Sequence, residues 1–452
     1  MTRISVNFDR TVGAIKPMHG VGQPPIAGGK LTLDFSHVQH LTNAGIPYSR
    51  LHDVGGAFGG NRYVDIPNIF RNFDADETDP ASYDFAFTDE LMKALDFYGI
   101  RPIFRLGVTI ENQAHIKAYH IHPPKDYAKW ARICEHIIRH YNEGWANGFF
   151  FGIEYWEIWN EPENGPPLPG KNQMWTGTAK QFYELYDVAA KHLKACFGST
   201  VKVGGYGASG LYGLYYHPEK YGVNVPKRAP DERYETDIYR VEFFNGFLEY
   251  IQENNTPIDF FSWHSYANEK KTRVIDEYIH RRLTECGYGD LELQMNEWNN
   301  VRDAKKNGTS YASAATAAMI CAMQNSHTHI LCYYDARLTL SPYGGFFDGA
   351  TLEPLCTYYV FDAFNQLYTL KNQAECICDP SVDGLYAVAA TNGEKKALMV
   401  VNRSEEARSL QTNLTEDFTP YLLDEKHFLT PVDARSDEFI LEPNQIVLLK
   451  NN

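Results

Sequence analysis

From about residue 13 to residue 368 the chain repeats one pattern, a short apolar run followed by a longer amphipathic segment, and nothing else restricts its fold as tightly. The short runs are AIKPMHGVG, PYSRLHDV, IRPIFRLGV, GIEYWEIWN, VKVGGYGAS, IDFFSWHSY, LELQMNEWN and HILCYYDAR, eight in all. Between them stand segments such as FTDELMKALDFYG, YAKWARICEHIIRHYN, AKQFYELYDVAAKHLKACFG and SAATAAMICAMQNS. Their apolar residues recur at three and four positions, as in a helix that buries one face. Strands joined by crossover helices run parallel, and eight βα units close into a (β/α)8 barrel. LEPLCTYYVFDAFNQLY reads as the eighth helix, delayed by a Gly-rich insertion, SPYGGFFDGA.

Past residue 369 the pattern changes. GLYAVAATN, KKALMVVNR, ARSLQTNL, PYLLDEK and QIVLLK are short runs separated by turn residues, among them Asn392-Gly393. They predict a β-sandwich over 369–452. RISVNFD, in the opening residues 1–12, alternates apolar and polar and is expected to add a strand to that sandwich. The expected fold is therefore α/β: a TIM barrel over 13–368 with an appended C-terminal β-sandwich.

A net charge of −15 argues against a nucleic-acid partner, because phosphate binding needs clustered Lys and Arg. No apolar stretch reaches the roughly 20 residues that span a bilayer. The opening MTRISVNFDRTVGAIKP has no apolar run behind its basic residue, so no signal peptide is expected. The eight Cys form no paired framework, and Cys376 and Cys378, two apart, do not have a zinc spacing. Reduced thiols in a cytoplasm are the expectation. Nothing in the sequence calls for a metal or an organic cofactor; a homo-oligomer is left open.

In such barrels chemistry sits at the carboxyl ends of the strands. Two of the eight runs end in a Glu preceded by Asn: EIWNEPEN gives Asn160-Glu161, broken at once by Pro162, and LQMNEWNN gives Asn296-Glu297. By strand count these are the fourth and seventh strands, close to opposite sides of the barrel mouth. Two carboxylates about 5–5.5 Å apart are what a retaining glycosidase needs, one to protonate the leaving oxygen and one to attack the anomeric carbon. At that distance one carboxyl is expected to keep its proton near neutral pH. Glu161 is read as the general acid/base and Glu297 as the nucleophile. The competing reading makes each Glu a first-turn acid favoured by a helix dipole.

WNEP on strand four with a Glu on strand seven resembles the clan of retaining (β/α)8 glycosidases. YDFAFTDELMKALDFYGIRPIFRLG, EIWNEPEN…MWTGTAKQFYELYDVAAKHLK and FSWHSYA are similar to stretches of glycoside hydrolase family 39, the family of β-xylosidases and α-L-iduronidases. The resemblance implies a carbohydrate substrate, β-xylosidase-like by default. It also implies that Asn160 bonds the sugar 2-hydroxyl, where a turn-forming Asn is the alternative. His264 and Tyr266, two apart on one strand, face the same way and by analogy orient the sugar or tune the carboxylates; a satisfied core pair competes. Arg50 and His52 share a face of strand two and resemble the family's Arg-x-His element, in which the Arg keeps the nucleophile ionised. A buried Arg needs an acid, and Glu297 is the candidate.

Trp175 either floors a sugar subsite or covers the barrel edge. Trp298 leaves its strand on the face opposite Glu297 and is read as packing. Two departures from the family fall at the pocket rim: Arg105 where a xylosidase Glu is expected, and the turn RLHDVGGAFGG after strand two. Arg105 either binds a substrate carboxylate or pairs with Asp53 or another local acid. Rival readings are a glycosidase for another sugar (arabinosidase, galactosidase or uronidase) and a catalytically silent sugar-binding protein.

Overall fold

The computed structural model describes the whole chain except residues 29–32, 56–61, 111–120, 169–170, 302, 339–342, 380–381, 416 and 452. Most of the Gly-rich turn after strand two and the start of the 341–350 insertion therefore lie outside the described residues.

The eight runs form a closed parallel barrel. Its strands, in chain order, are Gly20–Gly22, Tyr48–Leu51, Arg101–Leu106, Tyr155–Ile158, Lys202–Ala208, Phe260–Ser265, Glu292–Trp298 and Ile330–Tyr333. Their central residues are buried on both faces, because helices cover the outside while side chains fill the lumen. Expected helices appear at Ala86–Phe97, Tyr127–Glu143, Ala179–Phe197, Ser310–Gln324 and Cys356–Tyr368. Two more, Tyr234–Glu253 and Glu269–Glu285, follow strands five and six. Local signals fix several ends. Thr178 and Gln181 make a reciprocal capping box, Asp126 and Asn268 accept N-cap bonds, and Gly144 closes its helix at φ +74°. None of the described helices is long and apolar enough to cross a membrane.

The period of two along each strand layers the lumen. Tyr48, Ile103, Tyr155, Phe260, Ile330 and Cys332 pack into an apolar floor. Two residues further along the same strands stand Arg50, Arg105, Glu157 and Ser262, all buried. The barrel thus passes from a hydrophobic plug to a charged layer within one repeat, and the charged layer carries the mouth.

The C-terminal region is one curled, mostly antiparallel sheet of nine strands. The strand Thr2–Ala14 lies inside it, antiparallel to Asn372–Cys378 on one side and parallel to Arg408–Thr412 on the other. The curl wraps a core that includes Ile4, Leu398, Val400, Leu410 and Leu449. The helices Ser310–Gln324 and Cys356–Tyr368 pack the barrel against strands Leu385–Thr391 and Lys396–Asn402. All eight cysteines are free.

Candidate active site

The fourth strand ends in two residues with positive φ, Trp159 at +73° and Glu161 at +43°. Such values are strained for residues other than Gly and must be held by their surroundings. Trp159 is held by its N–H on the Leu106 carbonyl (2.8 Å) and its indole N–H on the Met174 carbonyl (3.0 Å). The Glu161 N–H donates to the Gly207 carbonyl at 3.0 Å. Pro162 then breaks the strand direction, leaving the Glu161 carboxyl over the lumen.

Glu161 and Glu297 meet across the mouth. An oxygen of each and a ring nitrogen of His264 all lie within 4.8 Å of one another. Both glutamates keep a little exposure, 8% and 7%, whereas Arg50, Glu157, Asn160 and His264 beside them are almost wholly buried. Glu297 is gripped at both oxygens: Arg50 Nη1 donates to Oε2 at 2.9 Å and the Tyr266 hydroxyl to Oε1 at 2.6 Å. Burial, then the Glu297 charge, pushes the Tyr266 phenol well above its usual range, so it remains a donor. Arg50 uses its whole fork, with Nε on Glu157 Oε2 (2.7 Å) and Nη2 on Asn160 Oδ1 (2.7 Å). Asn296 closes the ring by donating to Glu157 Oε1 at 2.6 Å. Burial acts upward on Glu157, but Arg50, Ser262 and Asn296 outweigh it and hold this carboxyl below its ordinary value. Two carboxylates therefore share one guanidinium, which itself stays charged throughout.

Glu161 is bonded differently. His264 Nδ1 lies 2.8 Å from Oε1, and Asn164 Nδ2 donates to Oε2 at 2.6 Å. Asn164 is in turn held by Arg240 Nη2 at 2.7 Å. The direction at Glu161 differs from the raised carboxyl expected of the pair. Burial pushes Glu161 up, but the hydrogen bond and charge of His264, with Arg240 and Arg50, outweigh it and leave the group below its ordinary value. The raised carboxyl is Glu163, two residues on, pushed to about 8 by burial and then by the charge of Glu161. Gly207 lines the same space at φ +62°. A Cβ there would stand 2.9 Å from Arg50 Nη2 and 3.1 Å from His264 Nε2, so this position cannot carry a side chain without moving the cluster.

A family model, Glycosyl hydrolases family 39, matches residues 35–311, which contain every one of these groups. The chain belongs to that family. Curated relatives include a β-xylosidase from Caldicellulosiruptor saccharolyticus, 26% identical over 52% of this chain and 44% of its own length. A β-xylosidase from Geobacillus stearothermophilus is 24% identical over 53% and 41%. The matches thus span less than half of those relatives. Among solved structures, a glucosidase from Croceicoccus marinus aligns over 100% of this chain and 98% of its own, with TM-score 0.75 and 19% identity. A monomeric β-xylosidase from Caulobacter crescentus aligns over 100% and 99%, with TM-score 0.68 and 15% identity. At such identities the structures speak for the shared fold alone.

Not every expected residue of this family 39 chain reaches the mouth. Arg50, His264 and Tyr266 join the two glutamates directly, and Asn160 joins them through Arg50. Arg105 is entirely buried and ion-paired with Asp65; its Nη2 also reaches Thr109 Oγ1 (3.3 Å) and its Nε His52 Nδ1 (3.2 Å). Of the two readings of Arg105, the structure takes the pair with a local acid, and that acid is Asp65 rather than Asp53. His52 connects this pair to Asp53, whose Oδ1 stands 3.3 Å from its Nε2. Trp175 is 2% exposed, sits edge-on to Trp159 and Phe182, and donates to the Thr178 carbonyl (3.0 Å), so it offers no face to a sugar. Trp298 is buried against Tyr333. Residues not foreseen are Glu157, Asn164, Arg240 and the tyrosines around Tyr266, with Tyr343 at 5.2 Å and Tyr334 at 6.4 Å between ring centres. A period-two reading of the fourth strand from Tyr155 would have found Glu157. No sequence pattern links Asn164 to Arg240.

Proposed function

We propose that this chain is a retaining glycoside hydrolase that cleaves O-glycosidic bonds of oligosaccharides, with Glu297 as nucleophile and Glu161 as acid/base. The observation that carries the reading is the pair of carboxylates from strands four and seven, with oxygens within 4.8 Å and opposite support. That closeness suits direct attack; an inverting site needs a gap of about 6.5–9.5 Å for water. Arg50 and Tyr266 grip both oxygens of Glu297 and orient it, as a nucleophile requires. Among the described residues the Glu161 carboxyl has no Lys or Arg bonded to it, only His264 Nδ1 and the Asn164 amide, which suits a group that donates and accepts a proton.

In the first step Glu297 attacks the anomeric carbon while Glu161 protonates the departing oxygen. A sugar in the mouth displaces water and deepens the burial of Glu161, the cause that already acts upward on its carboxyl. Forming the glycosyl ester then neutralises Glu297. Glu161, which has passed its proton to the departing oxygen, is now a carboxylate; with the charge of Glu297 gone it stays ionised more readily, and it takes a proton from the attacking water in the second step. Asn160, fixed through its Oδ1 by Arg50, keeps its amide N–H groups for a sugar hydroxyl. A β-xyloside is the first substrate to try, because the curated relatives are named β-xylosidases.

The experiment is a soak with 2-fluoro glycosides of xylo, arabino, galacto and uronic type, followed by intact mass and peptide mapping. A stable adduct on Glu297 is expected with one member. No adduct with any member, together with no turnover of the matching aryl glycosides, would return the chain to the silent sugar-binding reading.

A further inference from the structure

Glu163 has no part in the chemistry just described, yet it is built into the same loop. Its side chain is entirely buried; Oε1 accepts from the Ser209 N–H at 2.6 Å, and Oε2 has no hydrogen-bond partner among the described residues. The titratable groups that face it are Glu161 on its own loop, Arg240 and Tyr239 from helix Tyr234–Glu253, Tyr183 from helix Ala179–Phe197, and Tyr206 from the fifth strand. Burial keeps the three tyrosines as neutral phenols. Among the described residues the cation that faces it is Arg240, which directs its hydrogen bonds to Asp237 (3.1 Å) and Asn164 (2.7 Å) and none to Glu163. A carboxylate with one donor and no bonded cation is disfavoured in such a place, whereas a carboxylic acid is not.

The same contacts fix the backbone of the loop. Glu161 N–H bonds the Gly207 carbonyl, and the Glu163 carboxyl takes the Ser209 N–H, so the strained segment is stapled to the end of the fifth strand on both sides of Pro162.

We propose that Glu163 is a positioning residue for the proton donor: an uncharged carboxylic acid that clamps the Glu161 loop to the fifth strand and keeps a second negative charge out of the wall behind Glu161. The clamp's meaning for catalysis rests on the glycosidase reading; the state of Glu163 does not.

Three readouts on the whole chain test it. Infrared difference spectra of the wild type should show a buried acid carbonyl band that bleaches as pH rises through about 8 and is missing in Glu163→Gln. Thermal unfolding supplies the second. The folded group keeps its proton to about 8, while the unfolded one loses it near its model value of 4.5, so the wild type loses stability over that window as pH rises. Glu163→Gln lacks this loss, and its Tm relative to wild type should climb by about 2 °C or more between pH 5 and pH 8. Third, Glu163→Ala, which cuts the clamp, should lower kcat/KM on a poor leaving group about 10-fold more than on a dinitrophenyl one. Glu163→Gln, whose amide oxygen can still accept from Ser209, should recover most of that loss.

No acid band together with a pH-independent Tm gap would overturn the uncharged state. Equal kinetics for the Ala and Gln variants would overturn the clamp. If the wild type cleaves no glycoside of the panel, the glycosidase reading falls, while the band and the Tm gap still decide the state of Glu163.

Discussion

Replacing Arg50 by Met removes a cation from between two buried carboxylates. The guanidinium bonds Glu157 at 2.7 Å, Glu297 at 2.9 Å and Asn160 at 2.7 Å, and Arg50 is 1% exposed. Breaking one buried pair costs about 3–5 kcal/mol, because the partner keeps its charge and loses its compensation. Here Glu157, fully buried, is the worse orphan; Glu297 retains Tyr266 and some water. The loss at pH 7 is therefore expected at the upper end, about 4–5 kcal/mol.

The pH dependence gives the sharper test. With Arg50 present the Glu157 carboxyl is held low, so its contribution to stability is present above the unfolded value of 4.5 and fades only as pH falls through the folded pKa. Without Arg50 only the Ser262 and Asn296 hydrogen bonds oppose burial, and the Glu157 pKa rises. The sign then reverses: the variant loses about 1.4 kcal/mol per pH unit above the unfolded value until the folded group ionises. Urea unfolding at pH 5 and pH 7 reads this directly. Wild type should lose only what the raised Glu163 carboxyl costs between the two, and Arg50→Met should lose about 2 kcal/mol or more beyond that by pH 7. Adding Glu157→Gln to Arg50→Met should restore part of the loss at pH 7, although Glu157→Gln in the wild type is itself destabilising. A pH-independent loss below about 1 kcal/mol, or no restoration in the double variant, would refute the shared-guanidinium account.

Three further outcomes follow from the same geometry. Glu161→Gln should lose about 100-fold or more in kcat/KM on xylobiose-type substrates but far less on dinitrophenyl glycosides, which need little protonation; equal losses on both would remove the acid assignment. Glu297→Gly should abolish hydrolysis, and azide should restore turnover with the product anomer inverted, as mass and NMR analysis of the glycosyl azide would show; undiminished hydrolysis would remove the nucleophile. Trp175→Ala should lower stability by about 3–5 kcal/mol in denaturant unfolding while the affinity for sugar is retained, since the indole packs on Trp159 and Phe182. Weakened sugar binding at intact stability would return that Trp to the site.

What was readable in the sequence, and what was not, divides by the range of the interactions. Periods of 3.6 and 2 are local, and they sufficed for the eight strands, five of the helices and the inward face that carries Arg50 and His52. Asn160-Glu161-Pro162 and Asn296-Glu297 were readable because strand ends announce themselves locally, and the barrel then places strands four and seven across one mouth. The bond from Arg50 to Glu297 could be anticipated only because a buried cation demands an acid and few were on offer. Arg105 obeys the same demand, yet its partner Asp65 is 40 residues away in a segment with no strand pattern, and nothing in the sequence ranks it above Asp53. Trp175 was undecided for a related reason: whether an indole shows its face to a ligand or its edge to two rings depends on how the loop after Glu161 folds back, which is a tertiary fact. The pKa order is the deepest case. Two carboxylates near each other do require one raised pKa, but which one is raised depends on who else is present. His264, Arg240 and Arg50 bring Glu161 down, while Glu163, with a single donor and no bonded cation, goes up in its place. Under the proposed assignment the proton rests two residues behind the group that would deliver it, and a sugar that deepens the burial of Glu161 is expected to raise its carboxyl.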